Sequence, residues 1–265
     1  MNDGTAAIGV FDSGIGGWSV VRELRRELPR ESLLYFADSA HAPYGDRPAE
    51  FIVQRSRRIA EWLVGQGVKA LVVACNTATA AAVAELRAHH ALPIVGIEPA
   101  VKPAARDTQS RVIGVLATSQ TLASEKFSRL VDAHGQDVAV LGQPCPGLVE
   151  RIEAGELDGP ETRALLAGYV APLLKQGADT LVLACTHFPL LATTLQALVG
   201  QSVRLVDPAP AVARELRRRL EVANLLCAEP TPGRITAVTT GGARVLTAQL
   251  QALQEPDVPC AEVLL

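Results

Sequence analysis

The feature that most limits how this chain can fold is an internal repeat carried on strand-like runs. IGVFDS (Ile8–Ser13) is matched by IGVLAT (Ile113–Thr118) at an offset of 105, and LVVACNT (Leu71–Thr77) by LVLACTH (Leu181–His187) at 110. GIEPA (Gly96–Ala100) is matched by LVDPA (Leu205–Ala209) at 109. Matches in one order at nearly constant spacing imply two lobes of like fold. Short Val-, Ile- and Leu-rich runs without polar alternation occur at Ile8–Phe11, Leu33–Ala37, Ala70–Ala74, Ile94–Ile97, Val112–Leu116, Val138–Leu141, Leu181–Ala184 and Val203–Val206. Such runs read as strands buried on both faces. Amphipathic stretches separate them: Trp18–Glu27, Pro48–Val64, Glu125–Ala133, Glu161–Lys175 and Ala211–Leu220. Strand alternating with helix means parallel α/β layers with right-handed crossovers. The expected fold is α/β: two similar parallel-sheet lobes, over about 1–99 and 105–209, followed by a tail of about 55 residues. With the lobes related by a pseudo-twofold axis, matching strand ends meet across one cleft. Open parallel sheets bind ligands beyond the carboxyl ends of their strands, so the repeated ends are where chemistry is expected.

Composition removes several alternatives. With 265 residues, 48% apolar and 20% charged, the chain can bury a full core, which excludes wholesale disorder. Net charge is −3, aromatics are 4%, and the basic cluster is Arg217-Arg218-Arg219, so nucleic acid is not expected as the primary ligand. A mean hydropathy of +0.20 raises the question of a membrane. The longest stretch free of Asp, Glu, Lys and Arg, Thr180–Val203, is interrupted by Cys185, Thr186, His187, Pro189 and Gln196. It reads as strand, turn and helix, not as a span of roughly 20 apolar residues. The opening MNDGTAAIGV has no basic region ahead of an apolar run, so no signal peptide is expected. Five cysteines without a CxxC pair point to a reducing compartment, and against a disulfide framework or a zinc site. The expectation is a cytoplasmic protein without a membrane segment.

Cys75 and Cys185 occupy the same position in the two halves, each just after an apolar strand. A cysteine there is ordinarily a small core residue; two at equivalent strand ends, each followed by polar residues, suggest more. Asn76-Thr77 precede an Ala-rich helix (Ala78–Leu86), and Thr186-His187 precede a helix opening at Pro189 and stopping at Gly200. Each sulfur is thus expected near a helix N-terminus, where partial positive charge favours the thiolate. Paired thiols of this kind suit proton removal on one face of a carbon and delivery on the other, which is racemisation without a cofactor. Asp12 ends the first strand in GVFDSGIGG. The GIGG loop (Gly14–Gly17) reads either as a tight turn or as backbone amides offered to a carboxylate. Asp12 would then be a base or an ammonium partner. Its repeat counterpart is Ala117, while Ser13 pairs with Thr118. His187, two residues after Cys185, is a candidate proton partner; His41, His89, His90 and His134 have no such context. No His, Cys, Asp and Glu set has metal-ligand spacing.

FDSGIGG, ADSAHAPYG (Ala37–Gly45), ACNTATA and ACTHFPLL together resemble the glutamate racemases of the cofactor-independent aspartate/glutamate racemase superfamily. The resemblance runs from about Ile8 to beyond Asp207. It implies two α/β lobes enclosing the substrate, the C-terminal segment returning to the first lobe: 1–99 plus 210–265, and 100–209. It implies Cys75 and Cys185 as acid/base residues, each deprotonating one enantiomer, assisted by Asp12 and His187 respectively. It implies Glu153, in CPGLVERIEAG, as an acid near the second cysteine, with Glu150 and Glu156 close by as surface charge. Asp12, Ser13, Pro43, Tyr44, Gly45, Asn76, Thr77, Thr118, Thr186 and His187 would line the substrate site. L- and D-glutamate, no cofactor, no metal and a homodimer follow from the same resemblance, as does supply of D-glutamate for peptidoglycan. Lys69, Lys102, Lys126 and Lys175 lie outside the cysteine motifs and offer no support for a Schiff base. The rivals are a racemase of aspartate or another small amino acid, a non-catalytic binding or regulatory protein on the same fold, and a thiol redox protein. Thr186-His187 favours glutamate over aspartate, and the missing CxxC disfavours redox chemistry.

Overall fold

The computed structural model describes residues 4–265. The chain runs β1 (Ile8–Asp12), α1 (Trp18–Glu27), β2 (Leu33–Ala37), α2 (Ala49–Gly65), β3 (Ala70–Val73), α3 (Asn76–His89) and β4 (Ile94–Gly96). It continues through α4 (Val101–Asp107), β5 (Val112–Ala117), α5 (Ser119–Ala123), α6 (Glu125–His134), β6 (Ala139–Pro144) and α7 (Leu148–Glu153). Then come α8 (Pro160–Lys175), β7 (Thr180–Leu183), α9 (Ala192–Val199) and β8 (Arg204–Val206). The remainder is α10 (Ala209–Val222), β9 (Ile235–Thr239), α11 (Ala243–Ala252) and β10 (Cys260–Glu262).

These elements form two compact units, one of the described residues through Ile97 with Ala209–Leu265, the other Glu98–Pro208. The first holds a six-stranded sheet in the order β10-β9-β2-β1-β3-β4, the second a four-stranded sheet in the order β6-β5-β7-β8. All pairings are parallel. The repeat is visible in the ladders: β2-β1-β3-β4 and β6-β5-β7-β8 have the same order. Gly9 lies opposite Leu71, and Gly114 opposite Leu181, as the first two sequence matches require. The third match does not coincide. Leu71 faces Ile94 but Leu181 faces Leu205, so β8 is slid by two residues from the GIEPA/LVDPA alignment. An even slip keeps every side chain on its own face.

Strands β1 and β3 are buried along their whole length, as central parallel strands covered by helices should be. In the first unit Phe11, Phe36, Leu71 and Val73 pack with Ile59 and Leu63 of α2 and Val83 and Leu86 of α3. In the second, Ile113, Val115 and Val182 pack with Val101 and Ala104 of α4. The expectation of burial on both faces fails for β6, whose residues are exposed or half-buried. It is an edge strand, with a neighbour on one side only. The tail also holds more than an amphipathic helix: β9 pairs with β2 and β10 with β9, extending the first sheet. At the amino end of that sheet Lys69 and Glu31, both buried, form an ion pair at 2.5 Å, and the Cys227 amide donates to Glu31 Oε1 at 2.8 Å. Among the described residues no helix is long and apolar enough to cross a membrane.

Candidate active site

Asp12 closes β1 and is fully buried. Its Oδ2 accepts the amides of Gly14 at 3.2 Å and Gly17 at 2.9 Å. A Cβ at Gly17 would lie 2.5 Å from Asp12 Cβ, so only glycine lets the loop wrap this carboxylate. Of the two readings of the GIGG loop, these contacts are those of the tight turn: the amides of Gly14 and Gly17 serve Asp12 itself.

Cys75 follows β3 and is the N-cap of α3, its sulfur accepting the Ala78 amide at 3.5 Å. The thiol donates toward Ser13 Oγ at 4.0 Å. Asn76 and Thr77 are the first helical residues and both are buried. Among the described residues neither amide atom of the Asn76 side chain has a hydrogen-bond partner, an arrangement that costs about 1–3 kcal/mol unless something else satisfies it.

Tyr44 is buried in the same cluster as Cys75, and its hydroxyl donates to Asp38 Oδ2 at 2.5 Å. Burial, together with the negative charges of Asp38 and Cys75, pushes the Tyr44 phenol far above its usual range. Pro43 is half-buried after a cis peptide bond, and Gly45 is buried. Asp38 stands at the end of β2, its amide donating to the Asp12 carbonyl at 3.0 Å. Arg55 on α2 donates to both its oxygens, at 2.7 and 3.0 Å. Thr240 Oγ1 donates at 2.8 Å, and His41 Nδ1 lies 3.0 Å away. Burial works to raise the Asp38 carboxyl, but hydrogen bonds from Arg55, Tyr44 and Thr240 hold it below the usual carboxylate value. His41 is thus in a polar network, contrary to its bland sequence reading. His89 is exposed and bonds the Glu85 carbonyl, as a surface residue would.

In the second unit Cys185 follows β7, buried like Cys75. The expected helix opening at Pro189 is corrected: Phe188–Leu191 is a 3-10 turn and α9 starts only at Ala192. The Phe188 amide bonds the Cys185 carbonyl and the Leu190 amide the His187 carbonyl, each at 3.0 Å, which tightens the chain into 3-10 geometry. Cys185 therefore does not cap an α-helix as Cys75 does. It has His187, whose Nδ1 lies 3.8 Å from Sγ while Nε2 lies 2.6 Å from Glu153 Oε1. Burial alone would lower the His187 pKa, but the hydrogen bonds and charges of Cys185 and Glu153 raise it well above the usual imidazole value. Glu153 is the last residue of α7, whereas Glu156 pairs with Arg151. Thr186 is buried, and Thr118, half-buried at the end of β5, caps α5 by accepting the Thr121 amide at 3.2 Å.

The structure thus gathers Asp12, Ser13, Tyr44 and Cys75 in one unit and Cys185, His187 and Glu153 in the other. Sequence reasoning missed Asp38, Arg55 and Cys145. Asp38 had a signal, since it follows a strand end as Asp12 does. Cys145 is its ladder equivalent: the Cys145 amide donates to the Ala117 carbonyl at 3.1 Å. Arg55, one of several arginines on α2, had none. Among the described residues no group of three or more His, Cys, Asp or Glu is arranged to hold a metal ion.

Comparison with known proteins matches residues 8–216 to the Asp/Glu/Hydantoin racemase family. The chain belongs to that family. A glutamate racemase of Ectopseudomonas mendocina is 60% identical over 231 residues, 87% of this chain and 88% of that protein. Among solved structures, a glutamate racemase isoform of Bacillus anthracis superposes with a TM-score of 0.90 at 32% identity, covering 98% of both chains. The Escherichia coli glutamate racemase, solved with L-glutamate and the activator UDP-MurNAc-Ala, gives 0.86 at 31% identity over 97% of both. As a member of this racemase family with such relatives, the chain is an amino-acid racemase, an isomerase.

Proposed function

We propose that the chain interconverts L- and D-glutamate, with Cys75 and Cys185 as the two acid/base groups acting on one Cα. The observation that carries this is the pair of buried thiols at ladder-equivalent strand ends, each with its own charge partner: Cys75 on the end of α3, Cys185 against His187 and Glu153. One thiolate removes the Cα proton and the other thiol returns a proton to the opposite face; the reverse reaction exchanges their roles. Asp12 assists Cys75, and Glu153 holds His187 in position to assist Cys185. The Cα–H of a zwitterionic amino acid is a very weak acid, so the surroundings must stabilise negative charge on the carbon and its carboxylate. Ser13, Asn76, Thr77, Thr118 and Thr186 supply hydroxyl, amide and helix-end donors, and such preorganised donors act most strongly where water is excluded. The unpartnered Asn76 amide supports a ligand carboxylate there. Pro43, Tyr44 and Gly45 complete the Cys75 side.

Glutamate rather than aspartate is supported by Thr186-His187 and by the 60% identity to a glutamate racemase. The same reading extends to a cytoplasmic homodimer that needs no pyridoxal phosphate and supplies D-glutamate for peptidoglycan. The experiment is incubation of purified, cofactor-free protein with L-glutamate in deuterium oxide, following circular dichroism and Cα deuteration. Inversion with label uptake is expected. Cys75→Ser and Cys185→Ser should each nearly abolish inversion while exchange persists from the enantiomer served by the remaining thiol. Inversion of aspartate alone would transfer the activity to the rival substrate. No turnover of either would favour a binding protein, and wild-type rates in both mutants would remove the two-thiol mechanism.

A further inference from the structure

Arg55 takes no part in the proton transfers, yet it is a buried arginine in the middle of α2, where charged residues are rare unless paired. Its fork grips both oxygens of Asp38, Nη2 to Oδ1 at 2.7 Å and Nε to Oδ2 at 3.0 Å. Its remaining nitrogen reaches the Leu265 main-chain oxygen at 3.4 Å. This bidentate geometry is one that lysine cannot reproduce. Asp38 spends its other acceptor capacity on Tyr44 and Thr240. Tyr44 has a single hydroxyl proton, and Asp38 receives it, so the ring is tethered at its tip while the side chain packs in the cluster that contains Cys75.

We propose that Arg55 is a positioning residue for the Cys75 half of the reaction: by fixing Asp38 it fixes the Tyr44 ring, and with it Pro43–Gly45, against the Cys75 thiol. This rests on the two-thiol reading above. Without Arg55 the Asp38 carboxylate faces no buried Lys or Arg among the described residues. The groups around it would be the Tyr44 hydroxyl and His41 from the loop after β2, Thr240 from the end of β9, and Asp12 on the adjacent strand end. Burial then favours protonation. A protonated Asp38 donates as well as accepts, so the Tyr44 proton is no longer held to one direction and the ring is released from its place beside the sulfur.

The test is Arg55→Met and Arg55→Lys in the full chain, with Cα exchange in deuterium oxide followed from each enantiomer separately. Cys75→Ser and Cys185→Ser serve as references. Arg55→Met should lower kcat by about tenfold to a hundredfold, the usual scale for a displaced catalytic geometry. Exchange from the enantiomer deprotonated by Cys75 should fall with it, and exchange from the other enantiomer should persist. The variant should also gain an acidic limb in its rate profile, losing activity as pH falls and Asp38 protonates, which Arg55→Lys should largely erase. Equal loss of both exchange reactions, or a pH profile unchanged from the parent, would overturn the proposal. Should Arg55→Met fail to fold by circular dichroism, Tyr44→Phe cuts the same link from its other end. One-sided loss there supports the proposal; symmetric loss or none refutes it. If Cys75→Ser racemises normally, the two-thiol reading fails first, whatever Arg55 does.

Discussion

Replacing Glu153 with glutamine keeps an oxygen within reach of His187 Nε2 but removes the negative charge that faces it at 2.6 Å. The His187 side chain is 2% exposed and that of Glu153 18%, so water screens this contact poorly. A hydrogen bond to a charged group at such a site contributes about 1.5–3 kcal/mol. The direction in pH follows from His187, whose folded pKa stands above the usual imidazole value because Cys185 and Glu153 outweigh burial. A raised folded pKa stabilises the protein fully below the unfolded value of about 6.5, and that stability is lost as pH rises through the folded value. Glu153→Gln should therefore cost about 1.5–3 kcal/mol of unfolding free energy at about pH 6, with the deficit shrinking as pH rises through the parent's His187 pKa. Nitrogen-15 spectra of the imidazole, recorded beside urea unfolding at matched pH, would check both. The His187 titration should move to lower pH in the variant. An unmoved titration would show that Glu153 does not hold the proton on His187, and a deficit constant with pH would show that the contact is not electrostatic.

Two further substitutions separate function from fold. Asn76→Leu removes a buried amide with no partner, so stability should hold or rise by up to about 1–3 kcal/mol while KM for glutamate increases; urea melts with initial rates would show it, and a destabilised variant with unchanged KM would assign the amide to the fold. Lys69→Met strands Glu31 as a buried carboxylate and should cost about 3–5 kcal/mol, much of it recovered by adding Glu31→Gln. Strictly additive losses in that cycle would show that the two residues do not act as a pair.

What could be read from residues alone was set by period and position. The alternation of Val- and Leu-rich runs with amphipathic stretches placed β1, β2 and α1 almost to the residue, because central parallel strands are buried on both faces and leave little choice of pattern. Away from the sheet centres the pattern weakens: the Val138–Leu141 run gives β6, which is half exposed, and the short ITAVT and CAE runs that form β9 and β10 lie in the tail, outside the runs read as strands. The sheet register of β8 is set by how the strand packs beside β7, which no local motif reports. At the candidate site, the residues that the sequence could name are those adjoining a repeated strand end: Asp12, Cys75, Cys185 and His187. Those contributed from a helix face or from across the sheet could not be named, since Arg55 and Thr240 meet Asp38 only through tertiary packing.

The duplicated scaffold places two thiols alike, yet their surroundings differ, and the difference follows from one local change. In the first unit α3 begins directly at Cys75, so the sulfur caps the helix and takes up an amide at its positive end. In the second unit the 3-10 turn at Phe188–Leu191 delays α9 to Ala192, and that helix end is not at the sulfur. The residue equivalent to Thr77 is there His187, whose pKa burial would lower but the contacts with Cys185 and with Glu153 of α7 raise. An imidazole backed by a carboxylate thus stands where the first unit has a helix terminus. The carboxylates divide the other way: the strand ends that bear Asp12 and Asp38 in the first unit bear Ala117 and Cys145 in the second. A duplicated sheet fixes where each sulfur stands in its own unit, while non-duplicated partners set what each sulfur faces.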